Sequence, residues 1–67
     1  MSVAKVSEIS ADSAKSFDDA IAQGLKRANK TLKNITGAWI KDQKIDIKNG
    51  KIVRYRVNMK LTFVLKG

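Results

Sequence analysis

The chain contains no cysteine, no histidine and no proline. Without Cys there is no disulfide and no thiolate metal site. Without His the commonest metal ligand and the commonest general base are missing, and no ordinary nucleophilic triad can be assembled. No apolar run approaches the roughly 20 residues needed to cross a bilayer, and Met1–Ser10 lacks the apolar centre of a signal peptide. The expectation is a cytoplasmic protein with no membrane partner. Acids are also scarce: 6 Asp and Glu stand against 14 Lys and Arg, a formal charge of +8. That imbalance suits an anionic partner, such as a phosphorylated small molecule or nucleic acid, and equally suits plain solubility.

A length of 67 residues leaves room for one domain, taken as residues 1–67. A chain this short buries only about 60% of its unfolded surface, so small scaffolds are usually stapled by disulfides, a metal or oligomerisation. With the first excluded, there remain hard cations such as calcium or magnesium on oxygen ligands, and self-association.

Three hydrophobic patterns follow one another. Val3–Ser10 is a short strand candidate carried by the β-propensity of Val3, Val6 and Ile9. Ser13–Ile35 reads as a helix. Ser16-Phe17-Asp18-Asp19 has the spacing of a capping box, and Phe17, Ala20, Ile21, Gly24, Leu25, Ala28, Leu32 and Ile35 fall at steps of three and four, forming one apolar stripe. Acids at its start and Lys26, Arg27, Lys30 and Lys33 towards its end complement the helix dipole. Gly24, inside the stripe, reads as a close-packing position. Gly37–Gly67 reads as a long hairpin turned by Asn49-Gly50, the pair that best tolerates two positive φ angles. After the turn Val53, Tyr55, Val57, Met59, Leu61, Phe63 and Leu65 face one way, and Arg54, Arg56, Asn58, Lys60 and Thr62 the other.

A two-residue turn without bulges pairs Ile40 with Met59 and Ala38 with Leu61 on the apolar face. Opposite them it pairs Trp39 with Lys60, Lys41 with Asn58, Gln43 with Arg56 and Ile45 with Arg54. The predicted fold class is α+β: a β-α-β-β chain whose three-stranded antiparallel sheet partly wraps one helix. A strand from Lys51 to Leu65 would run roughly 50 Å, whereas a helix of about 17 residues spans only about 25 Å. Part of the apolar face and the strand edges therefore need a cover, which symmetric copies of the chain would supply.

The order and spacing of several short motifs resemble the dodecin family over Val3–Leu65. They are Ala20-Ile21, Arg27-Ala28, Thr31-Leu32-Lys33-Asn34-Ile35, Asp42-Gln43, Asn49-Gly50, Tyr55-Arg56-Val57 and Phe63-Val64-Leu65. The resemblance implies a hollow homododecamer that is not an enzyme. It implies a bound small-molecule ligand, a flavin (riboflavin, FMN or FAD), stored or quenched near two-fold axes. In the flavin binders a Trp on the second strand stacks on the isoalloxazine and a Gln on the third hydrogen-bonds its edge. Those places fall here on Gly37 and Arg56. Trp39, two residues along, keeps the same sheet face as position 37, displaced by about 6.6 Å. At Gly37, Arg56 and Lys60-Leu61-Thr62-Phe63 the chain is similar to a branch associated with calcium instead.

The candidate ligand residues are Trp39, Arg56, Gln43, Gly37 and Asp42; the candidate metal ligands are Asp42 and Asp46. Each has a plainer reading. Trp39 is a ring-stacking platform or an aromatic packed between subunits. Arg56 holds a phosphate or carbonyl, or pairs with Glu8 or an Asp of a neighbour. Asp42 and Asp46 bind calcium if symmetry multiplies them, or are solvated strand charges. The helix cations touch RNA or face solvent. No nucleic-acid module motif is present, and basic charge alone gives only non-specific, salt-sensitive binding. Tyr55 and Phe63 read as core.

Overall fold

The computed structural model describes residues 3–65, so Met1, Ser2, Lys66 and Gly67, including the end of the expected hairpin, lie outside it. The order is β1 (Val3–Ser13), α1 (Phe17–Ala28), β2 (Ile35–Lys48) and β3 (Lys51–Leu65). The strands form one antiparallel sheet in the order β1-β3-β2. The α+β, β-α-β-β architecture read from the sequence is the one observed.

β1 runs past Ser10 to Ser13 because the long partner β3 pairs with it residue for residue, from Val3 opposite Leu65 to Ser13 opposite Tyr55. Helix α1 is correspondingly shorter than the Ser13–Ile35 expected. Ser16, extended at φ −170°, caps it: its hydroxyl accepts the Asp19 N–H at 2.9 Å. The reciprocal half of a capping box is absent. The Asp19 carboxylate instead accepts from the buried Ser13 hydroxyl at 2.6 Å and from Gln23 at 2.7 Å, tying the helix start to the end of β1.

At the other end the Asn29 N–H still reaches the Leu25 carbonyl, but Lys30 bonds to Arg27, and Thr31 and Leu32 both bond to Ala28, so the turn tightens and stops. Asn34, at φ 62°, then bends the chain into β2. Its side-chain amide donates to the Val64 carbonyl at 3.3 Å, and its own carbonyl accepts the Val64 N–H at 3.1 Å. Leu32 and Ile35 keep their places against the core although neither is helical.

The core lies between α1 and the inner face of β1 and β3, with Ala20, Val57, Met59 and Leu61 fully buried and Ile9, Ala11, Phe17, Ile21 and Leu25 packed around them. Phe63 is buried there, and Tyr55 meets Phe17 edge-on, ring centres 5.1 Å apart at 77°. Gly24 is where the helix comes closest to the sheet. A Cβ built on it would lie 2.9 Å from the Ala11 Cβ and 2.9 Å from the Met59 Cε.

The Asn49-Gly50 turn has both φ angles positive, 53° and 75°, as the dipeptide demands. The uniform register does not survive beyond it. Val53 is an extra residue on β3, and Lys41 and Thr36 are extra residues on β2. Ile40–Met59, Trp39–Lys60 and Ala38–Leu61 pair as expected, but between the bulges the pairs are Asp42–Asn58, Gln43–Val57, Lys44–Arg56, Ile45–Tyr55 and Asp46–Arg54. The expected Lys41–Asn58, Gln43–Arg56 and Ile45–Arg54 pairs are therefore corrected. A one-residue slip exchanges the faces of everything between the two bulges.

With a helix of 12 residues, about 18 Å long, against an overall length of 53 Å, much of the sheet has no cover within the chain. α1 packs on β1 and β3. The inner-face apolar residues of the hairpin beyond it stay exposed: Ile40, Ile45, Ile47 and Ile52.

Candidate functional site

The sheet face turned away from α1 is polar and open. β3, in the centre, contributes Arg54, Arg56, Asn58 and Lys60. β1 sets Asp12, Ser10 and Glu8 opposite Arg56, Asn58 and Lys60, and β2 sets Asp46, Lys44, Asp42 and Trp39 opposite Arg54, Arg56, Asn58 and Lys60. The bulges at Lys41 and Val53 are what bring Asp42, Lys44 and Asp46 to this face.

Most of these groups are already partnered within the chain. Arg56 Nε donates to Asp46 Oδ2 at 2.8 Å, and its guanidinium lies 3.8 Å from Asp12. Arg54 holds the other oxygen of Asp12 at 3.0 Å. Lys41, thrown outward by its bulge, reaches across β3 to Glu8 at 3.0 Å. Asn58 donates to Asp42 at 2.6 Å. The hydrogen bond from Arg56 holds the Asp46 carboxyl below the usual carboxylate range, and the hydrogen bond to Glu8 raises the Lys41 ammonium.

These shifts give the pH dependence its sign. Asp46 contributes stability that is present above its unfolded pKa, near 4, and is lost as pH falls through its lower folded value. Asp19, lowered chiefly by the Ser13 hydroxyl, adds to the same loss. Lys41 contributes in the opposite sense, its share vanishing only as pH rises through a folded value above the usual lysine range. Thermal unfolding midpoints are expected to stay level through neutral pH and fall below about pH 4. In Asp46→Asn the acid fall is expected to be shallower; an identical acid profile would contradict the assignment.

The candidate residues are placed unevenly. Trp39 stands on the open face, 64% exposed. Gly37, one more step along that face, would leave an added Cβ in open space. Arg56 is on the same face but committed to Asp46 and Asp12. Gln43, expected beside Arg56, pairs with Val57 and belongs to the helix side of the sheet. Asp42 and Asp46 share the open face at a separation of about 13 Å along β2, each with its own donor, and no three metal-ligating side chains converge among the described residues. Within one chain they do not fit a calcium ion. An exposed indole beside a glycine fits a stacked planar ring better. Sequence reasoning did not foresee Lys41 and Asp12 as organisers of this face; it gave Glu8 to Arg56 of a neighbour where the structure gives it to Lys41, and it placed Lys60 opposite Trp39, as observed, without giving it a role.

A family model described as dodecin matches residues 3–66. The chain belongs to the dodecin family. No curated protein sequence matches it. Among solved structures, the dodecin from Streptomyces davaonensis is 29% identical, with a TM-score of 0.93 over 98% of this chain and 97% of that one. An arginine-to-alanine variant of the Thermus thermophilus dodecin is 27% identical, with a TM-score of 0.94 over 100% of this chain and 98% of that one. The calcium dodecin of Mycobacterium tuberculosis, described as a calcium-chelating antigen with a novel calcium-binding site, is 29% identical, with a TM-score of 0.82 over 96% of this chain and 91% of that one. The backbone thus follows the first two dodecins more closely than the calcium dodecin at similar identity.

Proposed function

We propose that residues 1–67 form the subunit of a non-enzymatic homododecameric shell in the cytoplasm that binds and stores a flavin (riboflavin, FMN or FAD) on its open sheet face. The observation that carries this reading is Trp39: a bare indole on the polar face of the sheet, with an unobstructed Gly37 next to it. In a monomer such a ring is a liability; in a shell it is a platform for a planar ligand. Arg56 and Asp46, locked together, frame the site and leave the stacking to Trp39.

The test is fluorescence. Riboflavin or FMN mixed with micromolar assembled protein is expected to lose its emission, and Trp39→Ala to weaken binding about tenfold or more, the scale of one lost aromatic stack. Unchanged flavin emission with the wild-type protein would end the flavin reading.

The similarity to the calcium dodecin favours a second reading, a shell that binds calcium or magnesium in place of flavin. Two carboxylates per chain, Asp42 and Asp46, are too few and too far apart alone, so the ion would sit where symmetry brings copies together. Calorimetry with calcium separates the two readings: heat and a thermal shift support the ion, and neither leaves a purely structural shell as its remainder.

A further inference from the structure

Between Trp39 and the Asp46–Arg54 pair the open face carries five cations, Lys41, Lys44, Arg54, Arg56 and Lys60, with Lys48 and Lys51 farther off beside the turn. Four lie within 4.0 Å of a carboxylate, Lys41 at Glu8, Lys44 at Asp46, and both arginines at Asp12. Lys60 has no ion-pair or hydrogen-bond partner among the described residues. Its natural partner is Glu8, which stands directly opposite it on β1. Glu8 is turned instead to Lys41, which reaches it only because the bulge throws Lys41 outward. On its other side Lys60 stands directly opposite Trp39, at the separation where cross-strand side chains touch. The bulge therefore leaves one unpaired ammonium, half-buried on the central strand, beside the exposed ring.

We propose that Lys60 makes the site selective for a planar ring that carries a phosphate over the same ring without one. This rests on Trp39 being the ring platform. The ring lies on the indole and its phosphate meets the Lys60 ammonium, a charge-assisted contact with no internal carboxylate to displace. Arg56 is the poorer phosphate ligand despite its bidentate geometry, because it would first have to leave Asp46 at 2.8 Å. The selectivity comes from which cation the fold leaves unpaired and not from the total charge.

Riboflavin and FMN share one ring and differ by the phosphate, so fluorescence titration of the assembled protein with each reads the claim directly. Wild type is expected to bind FMN at least about fivefold more tightly than riboflavin, the scale of one charge-assisted hydrogen bond. Lys60→Met is expected to bring the two affinities within about twofold of each other, while Lys60→Arg keeps the preference. Lys44→Met, which removes equal charge from the same face, is expected to leave it intact. Lys41→Met releases Glu8 to neutralise Lys60 and is expected to lower the preference with Lys60 untouched, so the claim can be read even if Lys60→Met does not assemble. Equal affinities in wild type, or a preference that survives in both Lys60→Met and Lys41→Met, overturns the role of Lys60 and leaves the flavin reading standing. If neither ligand binds, the ring platform itself is wrong and the selectivity goes with it.

Discussion

Replacing Ile47 and Ile52 with Asp is expected to break the assembly into species of one or a few subunits. The two face each other across the hairpin just before its turn, and they are 62% and 48% exposed in the isolated chain. They lie on the helix side of the sheet but beyond the reach of α1, with Ile45 and Ile40 exposed behind them. Burying one such side chain against a neighbour contributes about 1.5–3 kcal/mol, and closed symmetry repeats the contact in every subunit. An Asp in its place reverses the term, since an unpaired carboxylate must be desolvated where a branched chain had been removed from water. Light scattering should give about 89 kDa for twelve copies of the 7.4 kDa wild-type chain, and a several-fold lower mass for the double variant. The far-ultraviolet circular dichroism is expected to persist at the same concentration, because neither residue touches the core of Ala20, Val57, Met59 and Leu61. A double variant that keeps the full mass would mean that the hairpin end is not an interface.

How far the sequence could be read depended on whether a local signal existed for each feature. Asn49-Gly50 dictates its turn as expected, and the alternation of Val57, Met59, Leu61 and Phe63 dictates which residues of β3 are buried; Val53 and Leu65, expected on the same buried face, are exposed, Val53 being the bulged residue. The apolar steps of three and four located α1 but overran its end, since Leu32 and Ile35 stay in the core without being helical. Hydrophobic spacing reports burial, and only caps report where a helix stops. Ser16 marked the start; at the other end the tightened turn and the positive φ of Asn34 left no comparable signature. β2 was the least legible strand. Ile40-Lys41-Asp42-Gln43-Lys44-Ile45 has no alternation strong enough to reveal a slip of one residue, so the bulge at Lys41 was invisible. Together with the bulge at Val53 it moved Gln43 to the helix side and brought Asp42 and Asp46 to the open face beside Asn58 and Arg54, and it set Lys41 against Glu8. Trp39 escaped the error because the bulges at Val53 and Lys41 lie on opposite strands and cancel before it, so the simple register holds there again.

Gly24 is the described glycine at which an added Cβ meets its neighbours, and a larger side chain there should cost stability. In an exposed helix interior, Gly→Ala gains about 1 kcal/mol from backbone propensity. Here the added Cβ would meet two groups at 2.9 Å. Met59 Cε is the far end of a flexible chain and can swing aside, although it is fully buried and has little room to do so. Ala11 Cβ is fixed to the backbone of β1 and moves only if the helix lifts from the sheet. Overpacking of this kind costs about 1–3 kcal/mol, so Gly24→Ala should be slightly destabilised or neutral in net. Gly24→Val has two further methyls and poor helix propensity, and should lose about 3 kcal/mol or more. Urea unfolding at fixed protein concentration measures both. The diagnostic variant is Ala11→Gly with Gly24→Ala, which transfers the missing Cβ from helix to strand and restores the clearance. If close approach is the reason for the glycine, the double variant is more stable than the sum of the two single changes predicts. Strict additivity would show that Gly24 is there for some other reason, and that the helix could sit further from β1 at no cost.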